Sequence, residues 1–171
     1  SWSSVISAIE RSVDPNQDGN FDDHLNVISL SLGGIGNPND PVSSAIDRTV
    51  KSGVVAVISA GNSGANGEQT IGSPGTARNA ITVAASDKLD KIAYFSSIGP
   101  VIWNGTSMNK PDITAPGVNI CAAQWQTAWS TSQCIDMDHT AISGTSMAAP
   151  HVSGAAALLL QKNPSGNWNS L

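Results

Sequence analysis

The chain has little charge, and the charge that it carries is mostly negative. Charged residues make up 12% of the 171 residues, aromatic residues make up 5%, and the formal net charge is −5. No cluster of Lys or Arg is present to neutralise phosphates, so we expect no nucleic-acid partner. No apolar stretch approaches the roughly 20 residues of a membrane span, so we expect no spanning helix. The 40% of hydrophobic residues argues against disorder and favours one folded domain.

Cysteine is also scarce. Cys121 and Cys134 lie thirteen positions apart, and the chain has no C-x-x-C motif. We predict a disulfide that closes a polar loop, with two free thiols as the alternative. A disulfide requires an oxidising compartment, which predicts a secreted protein.

The spacing of apolar residues predicts alternating helices and strands. Three helices are expected, at Trp2–Val13, Pro41–Lys51 and from His151 to about Lys162. Five strands are expected, at Val27–Leu32, Val54–Ile58, Ala80–Ala84, Ile92–Phe95 and Val118–Cys121. Short strand–helix–strand connections are typical of right-handed crossovers, so the sequence predicts an α/β fold with a parallel sheet.

Ser146 lies where a loop meets the last predicted helix, in the stretch Gly144-Thr145-Ser146-Met147-Ala148-Ala149-Pro150-His151. Backbone N–H groups are unpaired at a helix start, and the helix dipole is positive there. A hydroxyl at that place is either a helix cap or a nucleophile whose developing oxyanion those N–H groups stabilise. The apolar run Val152–Leu160 after it predicts that the helix is buried.

Four stretches together resemble the subtilisin-like serine peptidases, and they occur in that family's order. They are VISLSLGG at residues 27–34, SAGNSG at 59–64, KPDITAPG at 110–117 and GTSMAAPHVSG at 144–154. The resemblance implies a three-layer fold around a parallel sheet. It implies that residues 1–171 are the C-terminal portion of a single catalytic domain whose N-terminal strands are missing.

The resemblance also implies residue roles. Ser146 would be the nucleophile, and its own N–H with the Asn62 side chain would bind the oxyanion. The alternative for Asn62 is a turn residue after a strand. The residues implied to bind substrate are Ser31, Leu32, Gly33, Gly34, Ser59, Ala60, Gly61, Gly72 and Thr145. Residues 31–34 would pair with an extended peptide, because glycines admit a foreign backbone closely.

Gly72 falls, by the same resemblance, near the base of the pocket for the side chain that precedes the cut bond. Together with the uncharged Ser63 beside Asn62, it predicts a roomy, neutral pocket. We therefore expect a preference for large apolar or aromatic side chains.

A serine nucleophile needs a base and an orienting acid, and neither is evident. In this family the Asp and the His precede the stretch that matches residues 27–34, and the D-[ST]-G and H-G-T contexts are absent. None of the three histidines, His24, His139 and His151, stands in a matching context. We expect this chain alone to be inactive, with the base and acid on an upstream segment that is either truncated or a separate chain.

The acidic loop after the first predicted helix carries a cation-binding pattern. Oxygen-bearing side chains alternate at Asp14, Asn16, Asp18 and Asn20, and Gly19 permits a sharp turn. Asp23, or Asp22, would complete the shell, since the twelfth loop position is Leu25 and not Glu. Hard oxygen ligands favour a structural Ca²⁺. The alternative is a solvated acidic turn.

The sequence therefore predicts part of a secreted serine endopeptidase that acts on protein or peptide substrates. The alternative from another class is a non-catalytic peptide-binding or assembly module on the same fold.

Overall fold

A computed structural model describes residues 1–126, 128 and 132–163 of the chain. The helices are α1 (Trp2–Arg11), α2 (Pro41–Lys51) and α3 (Thr145–Lys162). The strands are β1 (Val27–Leu30), β2 (Val55–Ser59), β3 (Ile81–Ser86), β4 (Val101–Trp103), β5 (Thr106–Met108), β6 (Ile113–Pro116), β7 (Ile120–Ala123) and β8 (His139–Ile142). A 3₁₀ turn covers Gly64–Asn66.

Four parallel strands form the central sheet, in the order β1-β2-β3-β6. Val27 pairs with Val55 at one side, and Val83 pairs with Ile113 at the other. The inner strands are apolar on both faces because helices cover both sides, which is the usual condition of a parallel sheet. β1 lies at one edge of this sheet.

Two apolar cores flank the sheet and make the fold three-layered. On one face, Ile58 packs with Ile9 of α1 and Ile46 of α2. On the other face, Val57 packs with Ala148 and other small residues of α3. Neighbouring residues of a strand point to opposite faces, so Val57 and Ile58 serve different cores. The predicted three-layer α/β architecture is confirmed.

The helix α2 has the bounds that its sequence predicts. Asp40 is its N-cap, and the Asp40 carboxylate accepts the Ser43 N–H at 2.8 Å. Pro41 occupies the first turn, where its missing N–H costs nothing. Val42, Ala45, Ile46 and Thr49 form the buried face.

One predicted strand is wrong, and a second lies in a different sheet from the one expected. Residues 92–95 form no strand, and Ile92 makes only an isolated bridge to Ser86. The expected strand at 118–121 becomes β7, which pairs antiparallel with β8 and does not join the parallel sheet. The fourth sheet strand is instead β6, in a stretch where Pro116 suggested only a turn. Pro116 is tolerated because β6 is an edge strand.

The helix α3 differs from the prediction at both its start and its surface. It begins at Thr145, six residues before the expected His151, and it carries Pro150 inside. It ends at Lys162 as expected, and Pro164 lies outside the described residues. Its second half is not buried, since Leu158 is 68% exposed and Leu159 is 55% exposed.

None of the helices described in residues 1–126 and 132–163 combines the length and hydrophobicity that crossing a membrane requires.

Candidate active site

The first turn of α3 meets the loop that follows β2, and this corner holds the two residues predicted for chemistry. Ser146 is half-buried in that first turn, and Asn62 is exposed in the loop. The N-cap of α3 is Gly144, so Ser146 is not the cap of this helix. Among the described residues, no hydrogen-bond partner holds the Ser146 hydroxyl, and its first-turn N–H has no helical carbonyl to bind.

Asn62 is held in one orientation by Thr145. Its Oδ1 accepts the Thr145 backbone N–H at 2.9 Å and the Thr145 hydroxyl at 3.0 Å. A backbone N–H can only donate, so the atom that faces it must be the amide oxygen. The Nδ2 donor of Asn62 therefore points away from Thr145. This bonding is what an oxyanion donor needs, because the donor is aligned before any substrate arrives.

Thr145 joins the two loops of this corner. It is fully buried, and its Oγ1 also accepts the Gly61 N–H at 3.1 Å. Gly61 has φ 103°, and a Cβ there would lie 2.9 Å from the Ser97 hydroxyl. Both constraints require glycine at this turn. The turn after β2 is thus fixed to α3 through the hydroxyl and the backbone N–H of Thr145.

The Ser146 carbonyl is tied to the sheet by a bond that the helix cannot supply. In an α-helix the N–H of residue 150 would bond to this carbonyl, but Pro150 has no N–H. Ser31, just past the end of β1, donates its hydroxyl to the Ser146 carbonyl at 2.7 Å. The backbone of Ser146 is therefore positioned by the segment after β1 as well as by α3.

A cleft of about 580 Å³ opens beside this corner. It is lined by every residue predicted to bind substrate, together with Asn62 and Ser146. Its other lining residues are Ile35, Gly36, Ser63, Gln69, Thr70 and Ile71. In the described part of the chain, no charged residue and no histidine lines it, in agreement with the neutral pocket that the sequence predicts.

Residues 31–34 lie along this cleft, but Gly34 is already paired. Its N–H and C=O both bond to the backbone of Ser73, each at 2.9 Å. An extended peptide could therefore add backbone hydrogen bonds only to the Ser31–Gly33 part of this segment. Gly72 lies where a Cβ would collide with the Gly34 carbonyl, so backbone forms the adjoining wall of the cleft.

None of the three histidines lines the cleft with Ser146. His151 uses Nδ1 to bond the Met147 carbonyl at 2.8 Å on its own helix. His139 bonds Asp136 at 2.7 Å, and this bond holds the pKa of Asp136 below its ordinary value. His24 bonds the Leu25 carbonyl. These placements agree with the expectation that the base is not one of them.

The acidic loop turns its side-chain oxygens inward. Both Asp14 oxygens accept backbone N–H groups, from Asp18 at 3.1 Å and from Gly19 at 3.0 Å. Asn16 and Asp18 accept the N–H groups two residues further on. These oxygens have the hard chemistry that Ca²⁺ prefers. In the described part of the chain, however, no three acidic, His or Cys side chains converge closely enough to hold a metal ion.

The predicted disulfide is present. Cys121 on β7 and Cys134 before β8 are joined, with 6.0 Å between their Cα atoms. The bond closes the loop between the two strands of this antiparallel pair.

Sequence reasoning missed the bond from Ser31 to Ser146 and the cleft residues Ile35, Gln69 and Thr70. The proline at position 150 was the available signal for the first, because it leaves the Ser146 carbonyl without a helical donor. The cleft residues carry no comparable signal, since loop packing alone brings them there.

The known proteins most informative for this chain are peptidases. The profile of the Subtilase family matches residues 1–171. The chain is 37% identical over 176 aligned positions to the serine protease AprX of Bacillus subtilis (strain 168), covering 94% of this chain and 39% of that protein. It is 38% identical over 164 positions to subtilisin DY of Bacillus licheniformis, covering 95% of this chain and 50% of that protein.

A solved structure shows the same likeness in three dimensions. The crystal structure of a cold-adapted subtilisin-like serine proteinase matches with a TM-score of 0.70 and 32% identity, over 95% of this chain and 49% of that one. The chain therefore spans half or less of the length of these relatives. Since the family profile, the relatives and the fold agree over nearly every residue, the chain belongs to the subtilase family.

Proposed function

We propose that this chain is the nucleophile-bearing part of a serine endopeptidase that cleaves peptide bonds through an acyl-enzyme on Ser146. The observation that carries the proposal is the orientation of Asn62. Thr145 holds the Asn62 carbonyl oxygen, which frees Nδ2 as a donor beside the first turn of α3. An asparagine that served only as a turn residue would not need a fixed carboxamide. A fixed carboxamide with a free Nδ2 donor suits a negative charge that develops near Ser146.

The reaction follows from these groups. The Ser146 oxygen attacks the scissile carbonyl carbon and loses its proton to a base. The carbonyl oxygen becomes negative and accepts hydrogen bonds from the Ser146 N–H and Asn62 Nδ2. When this intermediate collapses, the carbon–nitrogen bond breaks and the base returns the proton to the leaving amine. Water then hydrolyses the Ser146 ester by the same steps.

The base and its orienting acid would come from a segment of the full-length protein outside this chain. Two observations support this part of the proposal. Among the residues that the structure describes, neither a histidine nor a carboxylate lines the cleft. The chain also spans only 39% of one relative and 50% of another, which leaves room for a further segment. We therefore expect the isolated chain to be inactive.

The substrate is a polypeptide in this proposal. Ser31–Gly33 would pair with its backbone, and the neutral cleft would take a large apolar or aromatic side chain. Ser59, Ala60, Gly61 and Thr145 would shape the cleft next to the cut bond.

We further propose that the acidic loop binds a structural Ca²⁺ in a secreted protein. Asp14, Asn16, Asp18, Asn20 and Asp23 would supply oxygens. The disulfide supports an oxidising compartment. The ion would stabilise the folded state by binding to it preferentially and would take no part in the chemistry.

Active-site labelling tests the catalytic proposal. The full-length protein should react with a fluorophosphonate probe at Ser146, and the Ser146→Ala variant should not react. Cleavage of a denatured protein substrate should disappear with the same substitution. Peptide binding without labelling of the unaltered full-length protein would contradict the peptidase and favour the non-catalytic module.

A further inference from the structure

A second cavity adjoins the cleft. It has a volume of about 200 Å³, against about 580 Å³ for the cleft itself. Gly36, Gln69 and Ile71 line both, so these three residues form the wall between them. The second cavity is also free of charged lining residues. Both cavities are therefore neutral, and we call their shared wall of Gly36, Gln69 and Ile71 the partition.

Gln69 is the part of this partition that can change. Gly36 has no side chain, and Ile71 is only 7% exposed. Gln69 is exposed, and its carboxamide has no hydrogen-bond partner among the described residues. Its backbone has φ 59° and donates to the Gly99 carbonyl at 3.4 Å. The backbone is therefore anchored while the side chain is free to adopt other rotamers.

The far wall of the second cavity is apolar and fixed. It consists of Pro100, Val101, Ile102 and Trp103, the last three of which form β4 of the β4–β5 hairpin. The segment that leads into this hairpin is bonded to the residue after Gln69, because the Thr70 N–H donates to the Ile98 carbonyl at 2.9 Å. The hairpin is thus held at a constant distance from the partition.

We propose that Gln69 is a specificity-determining residue that controls entry of long, uncharged side chains into the second cavity. The proposal rests on the peptidase function above, in which the side chain before the cut bond occupies the cleft. A side chain that fits the cleft alone does not meet the partition. A longer apolar side chain reaches it, and must displace Gln69 to pack against Ile102 and Trp103.

The test compares peptides that differ only in the residue before the cut bond: leucine, phenylalanine or biphenylalanine. In the full-length enzyme, Gln69→Ala should raise the ratio of kcat/KM for biphenylalanine over leucine at least tenfold. Gln17→Ala is the matched control, because Gln17 is also exposed with a left-handed φ of 64° and lines neither cavity. An unchanged ratio in Gln69→Ala would overturn the proposal.

A second variant checks that the gain comes from the second cavity. Ile102→Ala alone should leave the ratio unchanged. Combined with Gln69→Ala, it should remove about two thirds of the gain, because the biphenyl group loses its contact with Ile102. If Gln69→Ala raised the kcat/KM ratio equally in the presence and absence of Ile102, the role of the second cavity would be refuted.

Binding measurements separate this inference from the catalytic proposal. Dissociation constants for the same peptides are measured on the full-length Ser146→Ala protein, with and without Gln69→Ala. The preference for biphenylalanine should increase there by a similar factor, whether or not the unaltered protein cleaves peptides. Absence of cleavage with a shifted binding preference rejects the enzyme and retains the pocket. Cleavage together with an unshifted binding preference retains the enzyme and rejects the role of Gln69.

Discussion

The corner around Ser146 and the acidic loop are both polar, but different parts of the chain hold them in place. At the corner, hydrogen bonds join residues far apart in sequence, such as Thr145 to Asn62 and Ser31 to Ser146. In the acidic loop, Asp14 and its neighbours bond to residues two to five positions away. The fold therefore positions the corner, whereas the loop shapes itself locally. The corner is ready for chemistry, and the loop is where a bound ion would add order.

Replacing Asn62 should have the largest effect, and activity should fall more than stability. For Asn62→Ala in the full-length enzyme, we expect kcat to fall about 10²–10³-fold with KM nearly unchanged, a figure taken over from subtilisin's own oxyanion donor. The free energy of unfolding should also fall, by about 1–3 kcal/mol, because the variant leaves the N–H of the fully buried Thr145 without its acceptor. Steady-state kinetics and calorimetry measure both. A loss of unfolding free energy as large as the loss of transition-state stabilisation would contradict a corner that the fold preorganises.

Removing calcium should have the converse effect. Chelation of the full-length protein should lower its stability by about 2–3 kcal/mol if the ion is present at a hundred times its dissociation constant. Thermal unfolding with and without chelator measures this loss, and kcat at low temperature should be unaffected. Asp18→Asn should abolish the response to chelator, with Asp87→Asn as a control on another exposed, locally bonded loop. An unchanged melting temperature counts against the ion site.

Replacing Ser31 should lower both stability and activity. Ser31→Ala removes the donor for the Ser146 carbonyl and should cost about 1 kcal/mol of stability. It should also lower kcat, because the nucleophile's backbone loses its bond to β1. Ser153→Ala is the matched control, since Ser153 bonds Ser29 between the same two elements but lies two turns further along α3. A similar loss of kcat in both variants would mean that the Ser31 bond has no special role.

Replacing Asp40 should change the free energy of unfolding least, and this change should depend on pH. Burial raises its pKa, but hydrogen bonds from Ser43, Asn37 and Ser73 outweigh this and leave the pKa below the ordinary value of 3.8. The stabilisation from its charge is therefore present above about pH 4 and is lost as the pH falls further.

The Asp40→Asn variant keeps the cap and removes the charge. It should be slightly less stable than the unaltered protein at pH 6 and close to it at pH 2.5, as measured by urea unfolding. A difference that grows toward acid pH would reverse the sign and refute the assignment.

The sequence predicted most of the layer architecture and the members of the corner, because local patterns carried them. The bounds of α2 follow from Asp40, Pro41 and the apolar spacing, all within one helix. The pairing of β6 with β3 was missed because the sheet, not the sequence around Pro116, selects that strand. Likewise, nothing near Gln69 reveals that it will separate two cavities, since the hairpin that completes the second one starts only at Val101.

The Ser146 carbonyl accepts its hydrogen bond from a side chain and not from a helical N–H, and this has an evolutionary consequence. Because Pro150 offers no N–H, the carbonyl depends on Ser31, so the tolerance of each position to mutation depends on the other. An alanine at 150 would restore a helical donor and relax selection on Ser31, and the effects of the two changes would then not add. Positions 31 and 150 are thus expected to be epistatic, although 119 residues separate them in the chain.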